Sequence, residues 1–449
     1  MNTNLDVKII LNMIVKNESH LSFTPYLQFL HLIDGIVIYD TGSNDNTITI
    51  ANEFLETYNI PGIVFKGEWN GFDKSRNDAI LKAREWATNK PGNWYLWFFD
   101  ADDYIYDSKT HTIISESVNF TKIQKLINKK SLNLDFYKCK FKSGDYTYTR
   151  VVLANLKASF KYIGILHEYL EYSDLCTVGM INAIYVASNR TGNRSMNPDK
   201  YLNDSKILKS ELEKIENSNT LYYRYLYYYA QSLKDYLSEL NNRYIKLCDK
   251  NTEAGKNLII ELNTHRRSSE LAYAKRAYES KLNDDYTYIS MIELSNYFEW
   301  FCLSIDDSKY LKLLESIQIS DSIKLQNRTF LYNSNTLKIL HDAYECKPYR
   351  VEATYKLCKH YFIIQKYNLG LSLLTYCLEC KNINTEDVIF ENSEISEFEI
   401  YFLAIEYLLK LEKYSSIKKY LRILKTNDYN KKYINKINQI TDIYKKIKL

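Results

Sequence analysis

Glycine and proline are scarce in this chain, 12 and 5 among 449 residues. That excludes collagen-like and Pro/Gly-rich disordered classes. No stretch reaches the ~18 uninterrupted apolar residues of a membrane-spanning helix. The opening residues, Met-Asn-Thr-Asn-Leu-Asp-Val-Lys, lack the basic segment and apolar core of a secretory signal. A soluble, cytoplasmic protein without a transmembrane segment is the expectation. A charge excess is missing too: Lys and Arg number 59 against 55 Asp and Glu, a formal +4 that reads as spread over the chain rather than gathered in a block. Nucleic acid has no electrostatic support as a partner. The eight cysteines are dispersed, and the close pair Cys377 and Cys380 has neither a second pair nor a nearby His to complete a zinc site, so all are read as reduced thiols. Hydrophobic residues are plentiful, at 45% of the chain. At this length two or three domains are expected.

Residues Trp94 to Asp103 read Trp-Tyr-Leu-Trp-Phe-Phe-Asp-Ala-Asp-Asp, an apolar run ending in three carboxylates. Such a run suits a strand buried on both faces of a parallel sheet, and ligands of open α/β sheets bind beyond the carboxyl ends of such strands. In an extended segment Asp100 and Asp102 point the same way and are candidates to hold one hard divalent cation, Mn2+ or Mg2+, and through it a diphosphate.

The first half alternates strand and helix signals. Strands are expected at Val7–Val15, Gly35–Tyr39 and Ile63–Lys66, and helices at Leu21–Leu32, Asn46–Tyr58 (capped by Asp45 or Ser43) and Ser75–Thr88. This order implies a mostly parallel sheet with helical crossovers. Beyond the acids, Leu134–Phe141 and Tyr146–Leu153 flank a Ser-Gly-Asp turn and read as an antiparallel hairpin, and Ile181–Ala187 as one more strand, so the sheet is mixed. Strand signals end near the polar stretch Arg190 to Pro198. The reading is an α/β domain over 1–195 and an all-α domain over 196–449. In the latter, Val351–Cys380 and Glu397–Lys425 look alike, each with a Lys-Tyr pair between two helices, 47 residues apart. That exceeds the ~34 of a simple tetratricopeptide repeat, so the region is repeat-like rather than a strict array. The run Tyr222 to Tyr229 is read as core, because a helix scatters its rings around the circumference.

Five segments in order resemble glycosyltransferase family 2, of GT-A fold, in the branch with a tetratricopeptide-like helical region. They are residues 11–18 (Leu-Asn-Met-Ile-Val-Lys-Asn-Glu), 39–47 (Tyr-Asp-Thr-Gly-Ser-Asn-Asp-Asn-Thr), Trp69 with 75–77 (Ser-Arg-Asn), 99–103 (Phe-Asp-Ala-Asp-Asp) and 166–168 (Leu-His-Glu). The resemblance implies a GT-A nucleotide-sugar-binding domain followed by the helical domain. It places Asn17, Glu18, Asp40 and Thr41 near base and ribose, Arg76 and Asn77 with Asp100 near the diphosphate, Asp102, Asp100 and His167 around the metal, and Glu168 or Asp103 as the base. Chemistry supports several of these roles: a carboxylate accepts from a uracil imide and ribose hydroxyls, and free N–H groups at a helix start favour a diphosphate.

The implied activity is metal-dependent transfer of a sugar from a nucleoside diphosphate sugar, UDP-linked on family grounds, to a protein or glycan acceptor with inversion. The helical domain would bind the acceptor or join two subunits as a homo-oligomer. The rival is a helical-repeat scaffold whose GT-A-like half binds a nucleotide without turnover. Nucleotidyl transfer is disfavoured, since Lys16-Asn17-Glu18-Ser19-His20 lacks the glycines of a triphosphate loop.

Overall fold

The structure is a computed structural model that describes residues 6–21, 23, 27, 31–114, 126–144, 146–247, 252–300, 334–383, 388–427 and 431–448. The chain divides into two compact units, Met1–Asp204 and Ser205–Leu449.

The first unit contains strands β1 (Val7–Val15), β2 (Gly35–Asp40), β3 (Gly62–Lys66), β4 (Asn93–Phe98), β5 (Asp103–Asp107), β6 (Phe136–Ser143), β7 (Tyr146–Asn155), β8 (Phe160–Ile163), β9 (Tyr169–Tyr172) and β10 (Val178–Ser188). Helices α1 (Thr47–Thr57) and α2 (Phe72–Ala87) are the crossovers β2 to β3 and β3 to β4. The main sheet runs β3-β2-β1-β4-β7-β6-β10-β5, and β8 and β9 form a separate ribbon. Strands β3, β2, β1 and β4 are parallel. β7 is antiparallel to β4 and β6, while β10 is parallel to β6 and antiparallel to β5. This is the mixed, mostly parallel sheet expected of a GT-A-like unit.

The apolar runs form strands because both sheet faces are covered. In β1, Ile9, Leu11 and Met13 join one core with Ile36, Ile38, Tyr95 and Trp97. The intervening Ile10 joins another, with Val37, Leu96, Phe98 and Ile80 of α2. Period-two alternation thus sends neighbours to opposite faces, each burying apolar area. Pairings Val15↔Asp40 and Asp40↔Lys66, with Asn12↔Phe98, bring the carboxyl ends of β1, β2 and β4 to one edge. The candidate residues of three distant segments meet there.

Three expectations change. α2 begins at Phe72 rather than Ser75, because Gly71 at its N-cap adopts φ +99°, open to glycine without strain. The aromatic strand stops at Phe98, so Asp100 and Asp102 occupy the turn between β4 and β5 and Asp103 opens β5, instead of all three lying in one extended run. The cap of α1 is Asn46, without a side-chain bond, whereas Asp45 Oδ1 accepts from Thr47 N at 2.9 Å. The helix expected over 21–32 lies largely outside the described residues.

From α3 (Lys200–Leu212) onward the described residues are helical apart from a two-residue strand, Glu391–Asn392: α4 (Tyr222–Ile245), α5 (Glu253–Ala274), α6 (Asp285–Trp300), α7 (Ser334–Cys346), α8 (Val351–Ile363), α9 (Tyr367–Ile383), α10 (Ile400–Lys410), α11 (Ile417–Asn427) and α12 (Ile434–Lys448). Consecutive helices pack as neighbours, among them α4 with α5, α8 with α9 and α11 with α12. Tyr225, Tyr227 and Tyr228 are buried, as the core reading of the tyrosine run requires. Each Lys-Tyr pair sits at a helix-to-helix turn: Lys366 precedes Tyr367, the first residue of α9, and Lys413 precedes the short turn into α11. No helix of the described residues is long and apolar enough to cross a membrane. The six cysteines among the described residues are all free.

Candidate active site

The sheet edge begins with two interlocked turns. After β1, Asn17 adopts φ 56°; its N–H donates to Ser43 Oγ at 2.8 Å, and its Oδ1 accepts from Asn44 N at 2.9 Å. Glu18 N donates to Thr47 Oγ1, and Thr41 Oγ1 donates to the Val15 carbonyl. Asp40 closes its own turn, Oδ1 accepting from Gly42 N at 3.0 Å and Ser43 N at 2.9 Å. Its other oxygen, Oδ2, is buried and finds no partner among the described residues, although Asp40 is only 1% exposed. A buried acceptor left unmade is costly, and such groups mark sites completed by something else.

Next to these turns lies a network of alternating charge. Arg76 Nε donates to Glu168 Oε1 at 2.6 Å and Nη2 to Asp100 Oδ1 at 2.8 Å. Arg150 of β7 donates to Asp100 Oδ2 at 3.4 Å and to Asp103 Oδ2 at 3.0 Å. Its guanidinium lies 3.8 Å from the Phe141 ring centroid, and that of Arg76 5.4 Å from the Tyr162 centroid. Burial opposes ionisation of Asp100, but the two arginines outweigh it and hold the carboxyl well below the usual range. Asp103 goes the other way: burial, only partly countered by Arg150 and reinforced by Asp100 and Asp102, pushes it up to about 7. Burial likewise pushes the Tyr162 phenol up to about 12.

Asp102 belongs to a different set. Its Oδ2 accepts from Ser188 Oγ at 3.2 Å and Gly192 N at 3.1 Å, while Glu18 accepts from Asn193 N through both oxygens, at 3.3 and 3.2 Å. A Cβ built on Gly192 would lie 3.3 Å from Asp102 Oδ2 and 3.4 Å from Glu18 Oε1, so the loop after β10 presents its backbone between two carboxylates. His20 Nε2 meets the Thr191 carbonyl on the same loop at 2.8 Å. Burial first, then the charges of Asp102 and Asp45, push Glu18 up to about 7 against the N–H of Asn193 and against His20.

The sequence-derived candidates thus fall into separate groups. Asp40, Thr41, Asn17 and Glu18 come together, as do Arg76, Asp100 and Glu168. Arg76 and Asn77 are the fifth and sixth residues of α2, past the free N–H groups of its first turn. Asn77 pairs with the backbone of Tyr162, donating to its carbonyl at 2.9 Å and accepting from its N–H at 2.8 Å, which ties α2 to β8. His167 is exposed at φ 53°. Among the described residues no three His, Cys, Asp or Glu side chains are gathered as a metal-holding group, so Asp100, Asp102 and His167 do not form one such group. Arg150 and the loop Ser188–Asn193 escaped the sequence reading. Arg150 lies in a hairpin with no local motif, and only strand pairing brings it to the acids 47 and 50 residues earlier.

Comparison with curated proteins gives no match. Among solved structures, S. aureus TarS 1-349 in complex with UDP-GlcNAc shares 14% identity, covering 61% of this chain and 86% of that one at a TM-score of 0.28. S. aureus TarS shares 13% identity over 66% of this chain and 55% of that one, at 0.27. At these values the likenesses carry no argument. Residues 27–119 match the Glycosyl transferase family 2 model. That span holds the Asp40 turn, the helix of Arg76 and the Asp100–Asp103 turn, and over it the N-terminal unit is similar to glycosyltransferase family 2.

Proposed function

We propose that this glycosyltransferase moves a sugar from a UDP-linked donor to a protein or glycan acceptor with inversion. The observation that carries the donor assignment is Asp40 Oδ2, a buried acceptor without a partner among the described residues at the carboxyl edge of the sheet. A uracil imide N–H or a ribose hydroxyl supplies the missing donor.

A divalent cation fits the oxygen donors of Asp102 and Glu18. These carboxylates flank one backbone segment, and the charge of Asp102 raises the cost of ionising Glu18. Mg2+ bound with a diphosphate takes one or two carboxylates rather than an all-protein cage, so a third ligand is not required. When bound, Mn2+ or Mg2+ offsets negative charge on the departing diphosphate.

The remaining chemistry falls to the chain's own residues. Glu168 accepts the proton of the attacking hydroxyl through Oε2 while Arg76 fixes Oε1. Asp103, 3% exposed and bonded to Arg150, is out of an acceptor's reach and serves to hold Arg150. Arg76, bonded to both Glu168 and Asp100, sets the position of the base. The helical region 196–449 is proposed to be tetratricopeptide-like and to receive the acceptor or a second copy of the chain.

The test is a thermal-shift panel of UDP, GDP, CDP and their sugars, with and without Mn2+, on the wild type, Asp40→Ala and Asp102→Asn. Saturation at a hundredfold over Kd stabilises by about 2.7 kcal/mol. A UDP-selective shift lost in Asp40→Ala, with its metal-dependent part lost in Asp102→Asn, is the expected result. Absence of any nucleotide shift would return the protein to the scaffold reading.

A further inference from the structure

The near-neutral total conceals one strongly basic element. Between Lys410 and Lys448 the chain carries twelve Lys or Arg and three Asp or Glu, so the rest is net acidic. This corrects the reading of a charge spread evenly over the chain. In α11 the cations share one face: Lys418, Lys419, Arg422 and Lys425 are exposed, whereas Ile417, Tyr420, Leu421 and Leu424 are buried on the opposite side. α12 packs on α11 and buries Ile437 and Tyr444. It exposes two large apolar side chains, Ile443 at 40% and Ile447 at 37%, with Lys446 one turn from Ile443, while Lys445 lies on the other side and pairs with Asp442 at 3.5 Å.

We propose that α11 and α12 form a docking face for an anionic phospholipid surface. Clustered Lys and Arg on a helical face are drawn to anionic headgroups over about a Debye length. A charge-only partner such as a nucleic acid uses the lysines but has no use for exposed isoleucines. A headgroup boundary accommodates both, with the apolar side chains entering the acyl margin. The occupant is therefore a lipid surface rather than a polyanion in solution. The inference is independent of the donor and base assignments.

The experiment is co-sedimentation of the full chain with phosphatidylcholine vesicles and with vesicles containing a quarter phosphatidylglycerol, at low and high salt. At least tenfold more binding to the anionic vesicles, abolished by high salt, is expected. The triple variant Lys418→Glu/Arg422→Glu/Lys425→Glu falls to the neutral-vesicle background. Ile443→Ser/Ile447→Ser loses severalfold, and melting curves of both variants overlay the wild type. Two outcomes overturn the proposal: equal binding to both vesicle types, or capture of short duplex DNA that exceeds vesicle binding and is indifferent to the isoleucine changes.

Discussion

Arg150→Met tests the charge network most sharply. The substitution keeps much of the apolar stem against Phe141 but removes the cation shared by Asp100 and Asp103. Breaking a buried ion pair from one side costs about 3–5 kcal/mol. The Arg150 side chain is 32% exposed, and solvent screening lowers that to about 2 kcal/mol. For a unit of this size each kcal/mol moves Tm by about 2–4 °C, so melting of the full chain should fall by roughly 4–8 °C at pH 8. The pH dependence is the discriminating part. Asp103 has its folded pKa raised to about 7 from 3.8. Its contribution is therefore fully present below the unfolded value and lost as pH rises through about 7. Loss of the contact with ionised Asp100 weighs equally at pH 5.5 and 8, whereas ionisation of Asp103 costs more without Arg150, so the deficit should be present at pH 5.5 and grow above pH 7. Adding Asp103→Asn should restore at least ~1 kcal/mol, because the coupled pair is then removed together. An identical deficit at pH 5.5 and 8, or strict additivity in the double variant, would refute the network as described.

Glu168→Gln should reduce kcat more than a hundredfold while leaving the UDP-induced shift within a degree, since the base acts on the acceptor and not on the nucleotide; parallel loss of both would point to a structural role. Glu18→Gln should be more stable than wild type above pH 7 by about 1 kcal/mol and equal to it below pH 4.5, because the raised pKa of Glu18 penalises its ionised form as pH climbs through that window. Melting at pH 4 and 8 reads this directly. Gly370→Ala should destabilise by about 1–3 kcal/mol through overpacking: a Cβ there would sit 2.0 Å from Tyr407 Oη, which donates to the Cys358 carbonyl at 2.5 Å. Only partial recovery in Gly370→Ala/Tyr407→Phe, which removes Oη but leaves ring carbon Cζ 2.4 Å from that Cβ, is the accompanying check.

Most of the sheet was legible because its strands are written as apolar runs ended by turn residues, and β1, β2 and β3 lie within a residue of their expected bounds. The start of α2 was not, since Trp-Asn-Gly-Phe-Asp reads as loop and only the positive φ of Gly71 turns it into a helix entrance. The acids themselves stood out, but their partners did not. Pairing Tyr95↔Asn155 decides that Arg150 faces Asp100 and Asp103, and register over such a separation leaves no local trace. The unpaired oxygen of Asp40 is equally invisible in sequence, because it depends on which neighbours fail to reach it. The basic helices were hidden by averaging: a chain-wide sum discards the arrangement that matters to a surface.

The turn after β4 and the first residue of β5 hold three aspartates in four positions, yet they are not synonyms. Asp100 is a hinge pin between two arginines, Asp103 anchors one of those arginines from beneath, and Asp102 alone turns toward the loop that follows β10. Relocating a carboxylate within this turn preserves its composition and its charge but changes which of three circuits is broken. If the proposed site is the catalytic one, its competence depends on address rather than on acidity, and a variant with all three acids present in another order should behave as a knockout.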